Sequence, residues 1–421
     1  MHPGDSSPEP GGATPQARFP RGLGWLLVLG LLARLAYAGL IPAWEQPDER
    51  AHFGYVEYLY AEGRVPIRTE ADRYEEDGGW HLVRSEYFQP PLYYAVLLPV
   101  YGACQGAGLD DGLTVLALRF ATLLMTLPVP VLVWGALRRA LPESPDLALA
   151  AASVPALLPS FVNLSASVNP SALAAVLGTL VLDLCTRMVT REPSRRGLCA
   201  LAAALALAQY TQNSLLLLGA APVTTAWLAP PGAARRGLLA ATFAGLLLAL
   251  PIFAFNQVHY GYFIGDLSSY VPVSAPWTER VGRGMQFLVR TLWGTFGRLR
   301  ELNAPWSAAP VTLGKMNRAC EGVSLAALAG LLRSARQLPL RPLAPSAVTL
   351  LVFLAACVKY CDFEPPTARY VFPVLLPGSA GLALGLRPWL GRFTAPGLAG
   401  FLVAMNLYIL GRLLVPYYGF P

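Results

Sequence analysis

Apolar residues run in blocks along nearly the whole chain, at 23–41, 90–107, 112–137, 146–162, 170–188, 196–210, 213–229, 236–255, 316–332, 342–359, 369–386 and 393–414. A helix crossing a bilayer needs roughly 20 largely apolar residues, so this pattern predicts an all-α polytopic membrane protein. Composition agrees. Of 421 residues, 54% are hydrophobic and 14% charged, with mean hydropathy +0.45, whereas soluble domains carry about 25% charge. Soluble enzymes, disordered chains and small disulfide scaffolds are excluded. The pattern predicts a Pro/Gly/Ser-rich disordered cytoplasmic tail over 1–22, a transmembrane domain over 23–414 and an outer tail over 415–421. The first run ends in a signal-peptide-like Ala36-Tyr37-Ala38, but it is long, contains Arg34 and is followed by more apolar runs. It reads as an uncleaved span.

The net charge of +7 suggests a polyanion partner only if it is clustered. Instead, the basic residues (all Arg except Lys315 and Lys359) fall largely in short turns between apolar runs: Arg138/Arg139, Arg187/Arg191/Arg195/Arg196, Arg235/Arg236, Arg333/Arg336/Arg341 and Arg387/Arg392. Cytoplasmic loops are enriched in Lys and Arg. All these turns reach that side only if the run at 90–107 lies along the membrane surface rather than crossing it. An interfacial helix rich in Tyr and opened by Pro90-Pro91 suits that position. The expected topology is about 11 spans, with the N-terminus inside and the C-terminus outside. The polar-rich segments then gather on the outer face, including a first outer loop over 42–111 and a long one over 256–315. The six cysteines offer only Cys357 and Cys361 at close spacing, which is weak support for a metal site or disulfide.

Candidate chemistry sits on that outer face. In Pro47-Asp48-Glu49-Arg50-Ala51-His52, a helix opening at Pro47 places Asp48 and His52 one turn apart on one face. Carboxylate and imidazole suit a general base with a partner, or two ligands of a divalent cation; helix capping is the plainer alternative. Glu86-Tyr87-Phe88-Gln89-Pro90-Pro91-Leu92-Tyr93-Tyr94 reads alone as an aromatic belt with a Pro turn, His81 and Glu86 being further site candidates. Asn163, Ser165, Ser167 and Asn169 open an outer-side span, where capping is the default. Trp293-Gly294-Thr295-Phe296-Gly297 suits an amphipathic element at the membrane surface. Arg369, at the mouth of a span, is a candidate lipid-phosphate ligand or the partner of Asp362 or Glu364; Arg119 and Arg34 invite comparable readings.

In chain order, these motifs resemble the GT-C superfamily of polyprenyl-phosphate-sugar-dependent glycosyltransferases. More narrowly, the chain looks like an uncharacterised bacterial membrane family related to protein mannosyltransferases. The resemblance rests on Pro47-Asp48-Glu49-x-x-His52-Phe53, Gln89-Pro90-Pro91-Leu92-Tyr93-Tyr94, Asn169-Pro170, Trp293-Gly294-x-Phe296-Gly297 and Ala368-Arg369-Tyr370-x-x-Pro373. Ser171 and Gln89 stand where relatives often carry Asp and His. The resemblance implies inverting sugar transfer at the extracytoplasmic face of a bacterial cytoplasmic membrane, from a polyprenyl-phosphate-linked sugar to a glycan, lipid or protein acceptor. It gives Asp48 the role of base, with Glu49 and His52 orienting it or with Asp48 and His52 holding a divalent cation. Arg369, Lys359 and Arg119 would meet the donor phosphate, and Gln89, Tyr93, Asn169 and Trp293 would line the substrate site. A lipid transporter or flippase, or a non-catalytic subunit of a cell-envelope assembly, is the alternative class.

Overall fold

The computed structural model describes residues 20–46, 48–67, 86–264, 275–294, 311–338, 340–361 and 366–418. Among them there are helices and no strands. The chain-order elements are α1 (Arg21–Leu40), α2 (Glu49–Glu62), α3 (Leu92–Gly106), α4 (Asp111–Thr126), α5 (Pro128–Ala140), α6 (Pro145–Leu157), α7 (Pro159–Ser165), α8 (Ser171–Thr190), α9 (Arg195–Gln209), α10 (Ala220–Leu228), α11 (Ala233–Leu248), α12 (Leu250–Tyr260), α13 (Trp277–Trp293), α14 (Val311–Ser334), α15 (Leu340–Tyr360), α16 (Leu375–Leu390) and α17 (Thr394–Ile409). Of the tail expected over 1–22, residues 1–19 lie outside the described residues, as do Pro47, His81, residues 295–297, Asp362 and Glu364, whereas Arg21 and Gly22 already belong to α1.

Every apolar run falls on helix, including the one at 90–107. Among the described residues, five helical stretches are long and apolar enough to cross a membrane: 21–40, 111–140, 171–190, 341–360 and 368–418. The number is seven if each bent pair, α6 with α7 and α11 with α12, counts as one span. Several other helices are short: α9 has 15 residues, about 22 Å at 1.5 Å per residue, below the roughly 30 Å of a hydrocarbon core.

The core is built around α6 and α8. Helix α6 is Ala-rich, with Ala148, Ala150, Ala151 and Ala152 fully buried, and α1, α5, α16 and α17 all pack on it. Small side chains let helix backbones approach closely where burial offers no hydrophobic gain over lipid. At Gly30 of α1, a Cβ would meet the carbonyl oxygen of Ala156 at 2.6 Å. At Gly178 of α8, a Cβ would collide with the carbonyl oxygen of Pro373. This second contact seats the 3₁₀ segment Ala368–Val374 directly on α8.

Between α6 and α7 the helix axis turns by 52°. Pro159 has no N–H to give the carbonyl of Pro155, one helical turn earlier. The fully buried Arg34 supplies donors instead, to Pro155 O (2.7 Å) and Ala156 O (2.8 Å), while also holding Gly30 O (3.0 Å). The charge inside the first apolar run is thus a backbone splint. These guanidinium bonds, not a lipid phosphate, account for Arg34.

Candidate active site

Helix α2 begins at Glu49, two residues later than the Pro47 opening expected from the sequence. Asp48 precedes it in the left-handed region (φ 59°) and Trp44 does the same (φ 74°). These are the only two non-glycine residues with positive φ among those described. The Glu49 N–H donates to Gln46 O at 3.3 Å, closing a four-residue turn whose third position is Asp48. Glycine is the usual residue at a positive-φ turn position, and Asp tolerates it better than most. A strained backbone of this kind persists only where its surroundings hold it.

What holds it is Glu49. Its fully buried carboxylate accepts from Arg119 Nε (2.8 Å) and Nη2 (2.6 Å), from the Trp44 N–H (3.2 Å) and from the Val168 N–H (3.1 Å). Arg119 spends its remaining donors on the carbonyls of Ala38 (2.9 Å), Ile41 (2.6 Å) and Pro42 (2.8 Å). One buried ion pair therefore ties together the end of α1, the start of α2, α4 and the turn after α7. This corrects the sequence expectation for both residues. The Glu49 carboxylate is committed to the interior, and Arg119, with five bonds inside the protein and 2% exposed, has no donor left for a phosphate.

With Glu49 turned inward, Asp48 is left partly exposed, and its carboxylate is ion-paired with Arg369. The Arg369 guanidinium also lies over the Tyr370 ring, 5.4 Å from its centroid. His52, one helical turn on, is buried and its Nδ1 is 2.8 Å from the Tyr94 hydroxyl. Glu86 completes the group: ligand atoms of Asp48, His52 and Glu86 all lie within 4.8 Å of one another. Carboxylate oxygens with one imidazole nitrogen form a donor set suited to a divalent cation. Burial pushes the His52 imidazole down to about 3, outweighing the pull of Asp48, so it is neutral at physiological pH. Burial, reinforced by Asp48, raises Glu86 to about 7, against the opposing effects of Arg369 and a hydrogen bond from Gln89.

The other sequence candidates divide. Gln89 is at the site, its Nε2 donating to Glu86 Oε2 at 3.0 Å. Tyr93 is fully buried, paired with Thr122 (2.7 Å) and accepting the Asn169 N–H (2.8 Å). Asn169 Oδ1 in turn accepts the Ser171 N–H at 2.9 Å. Both frame the turn into α8 rather than presenting a free face to a substrate. Trp293 is 2% exposed and donates to Ser324 Oγ at 3.0 Å, edge-on to Phe401; its place is between helices. Lys359 sits in the exposed last turn of α15. Glu86 is the residue the sequence undervalued. Alone it reads as a loop carboxylate, and its position three residues before Gln89-Pro90-Pro91 was the available signal.

Residues 110–259 match the family model for dolichyl-phosphate-mannose-protein mannosyltransferase. No functionally curated protein matches the chain by sequence. Among solved structures, the chain resembles ArnT from Cupriavidus metallidurans bound to undecaprenyl phosphate, with 14% identity and a TM-score of 0.55 over 94% of this chain and 74% of that one. The apo form of ArnT gives the same score and identity over 95% of this chain and 74% of that one. The chain thus has the fold of ArnT, and its residues 110–259, about a third of its length, match the sequence model of the dolichyl-phosphate-mannose-protein mannosyltransferases.

Proposed function

We propose that the protein is an inverting membrane glycosyltransferase that moves a sugar from a polyprenyl-phosphate-linked donor to an acceptor hydroxyl at the extracytoplasmic face. The observation that carries this reading is the contact between Asp48 and Arg369, which brings a partly exposed carboxylate and a phosphate-binding cation to one point. Asp48 takes the proton of the acceptor hydroxyl as its oxygen attacks the anomeric carbon from the face opposite the phosphate. The bond from that carbon to the phosphate oxygen breaks, and polyprenyl phosphate leaves with the electron pair. Arg369 meets the developing phosphate charge, a preorganised charge-assisted contact. Lys359, near the same mouth, is a second cation for the lipid headgroup. Neutral His52 and the neighbouring Glu86, whose ligand atoms lie within 4.8 Å of that of Asp48, set the electrostatic surroundings of the Asp48 carboxylate.

A divalent cation fits the same three residues, Asp48, His52 and Glu86; when bound it would act as a Lewis acid toward the leaving phosphate. The undecaprenyl phosphate in the ArnT structure supports a lipid phosphate of this class as the leaving group. The outer-face orientation rests on the Arg-rich turns at the other ends of the helices and makes the protein an integral component of a bacterial cytoplasmic membrane, with α3 lying along the interface. The test is release of polyprenyl phosphate from a panel of lipid-linked hexoses and pentoses by purified protein with a cell-envelope acceptor. Release that disappears in Asp48→Asn establishes the reaction and the base. No release from any donor, with donor and acceptor verified, overturns the reading in favour of transport or a scaffold role.

A further inference from the structure

Two residues before Asp48 in the same turn stands Gln46, 3% exposed. Its Nε2 donates to Asn163 Oδ1 at 2.8 Å, while its Oε1 is buried with no hydrogen-bond partner. An orphaned buried acceptor is costly and calls for an explanation such as a ligand or an ordered water. The amide is not loosely placed. Its backbone carbonyl accepts the Glu49 N–H, in the turn flanked by left-handed Trp44 and Asp48. Asn163 is 4% exposed and sits on α7, whose break from α6 is held by Arg34. Two Cα–Cα steps of about 3.8 Å keep the Gln46 Cα within roughly 7.6 Å of the Asp48 Cα.

Resting on the reaction proposed above, we infer that Gln46 is a sugar-recognition residue: its Oε1 accepts a hydrogen bond from a hydroxyl of the lipid-linked sugar. The chemistry selects this part of the substrate. An amide oxygen only accepts, and an ionised phosphate diester has no hydrogen to offer, so the phosphate goes to Arg369 and a hydroxyl to Gln46. The reacting acceptor hydroxyl gives its proton to Asp48, and the donor lipid itself has hydroxyl hydrogens only on its sugar ring, which is the partner tested below in the absence of acceptor. Arg369 then recognises the lipid headgroup and Gln46 the group being transferred. Asn163, whose Oδ1 holds the Gln46 Nε2, is a positioning residue that acts through Gln46.

The experiment compares binding of undecaprenyl phosphate with binding of undecaprenyl phosphate bearing mannose, glucose, galactose or arabinose, without acceptor, to wild type and Gln46→Met. Wild type is expected to bind at least one sugar-bearing lipid about tenfold tighter than the bare phosphate, the scale of one hydrogen bond. Gln46→Met is expected to lose that advantage while its affinity for bare undecaprenyl phosphate stays unchanged. Equal weakening toward both kinds of lipid would show a merely structural role and overturn the inference. An advantage that survives in Gln46→Met would leave Oε1 to water and overturn it too. Wild type that binds the bare phosphate with no sugar advantage rejects the inference but keeps the lipid reading, whereas wild type that binds neither rejects the proposed function itself.

Discussion

The carboxylate of Asp48 and the guanidinium of Arg369, 321 residues apart in the chain, are joined in one ion pair. Proposed base and proposed phosphate ligand therefore neutralise each other before any substrate arrives. A lipid phosphate arriving at Arg369 competes with Asp48 for the same cation, and its binding frees the carboxylate to take a proton. Donor binding and activation of the base become one event, so the donor is expected to bind before the acceptor.

Substitution of Asp48 follows from that competition. Asp48→Asn removes the rival anion, so polyprenyl phosphate should bind more tightly, by up to about fivefold, the scale of a partly exposed ion pair, although transfer is lost. Arg369→Ala should weaken the same binding by about 10- to 100-fold. Arg387→Ala should leave it unchanged, since Arg387 pairs with Asp146 at the start of α6. Lipid titration reads all three. Weaker binding in Asp48→Asn, matched by chelator treatment of wild type, would instead assign the phosphate to a cation on Asp48.

Glu49 and Arg119 should behave as framework rather than machinery. Removing one partner of a buried ion pair costs about 3–5 kcal/mol, so Glu49→Gln or Arg119→Met alone should sharply lower the unfolding temperature in detergent. The double substitution Glu49→Met/Arg119→Met should recover part of the loss. Recovery stays partial because Arg119 also serves the carbonyls of Ala38, Ile41 and Pro42. A Glu49→Gln protein as stable as wild type would contradict the buried pair.

Gly178 tests how closely Arg369 depends on helix packing. An added methyl group would collide with the backbone of Pro373, so Gly178→Ala should push the 368–374 segment off α8. A stability loss of about 1–3 kcal/mol is expected, together with weakened phosphate binding from a site that contains no altered ligand. Unchanged binding would place Arg369 on a segment independent of α8.

Glu86 carries a pH signature of its own. In chelator-treated protein its folded value near 7 lies above its ordinary value near 4.5. The neutral form is favoured in the fold, so this contribution is complete below about 4.5 and is lost as pH rises through 7. Glu86→Gln should therefore gain stability relative to wild type between about pH 4.5 and 7, with no further gain above. His52 slopes the opposite way, its depressed value costing stability as pH falls below about 6.5. Taking the difference between wild type and Glu86→Gln isolates Glu86. A flat difference across pH 5–8 would show that Glu86 is ordinary.

Periodicity carried the fold well, because helices in lipid need long apolar runs and each run in this chain became helix. It did less for the crossings, since a run of 15 residues such as α9 is apolar enough but short. Within the site, Asp48, His52 and Arg369 were legible from residue type and position at the ends of spans. The exchange of roles between neighbours was not. Asp48 and Glu49 differ by one methylene, and only the buried guanidinium of Arg119, 70 residues on, decides which carboxylate turns inward. Arg34 and Arg119 looked like phosphate ligands for the same reason. An Arg inside an apolar run has to satisfy its donors, and no local pattern says whether backbone or substrate does it.

The distance along the chain between Asp48 and Arg369 also sets an order of birth. At roughly 5–20 residues per second of synthesis, Arg119 follows Glu49 within about 4–14 s, but Arg369 trails Asp48 by about 16–64 s. The frame of the first outer loop is complete while most of the chain is still unmade, and the reaction centre closes only as the last apolar segments enter the membrane. If Arg369 is the phosphate ligand proposed above, a nascent or prematurely terminated chain has the Glu49–Arg119 pair but not that cation, and is expected to engage lipid phosphate only when its own synthesis is nearly over.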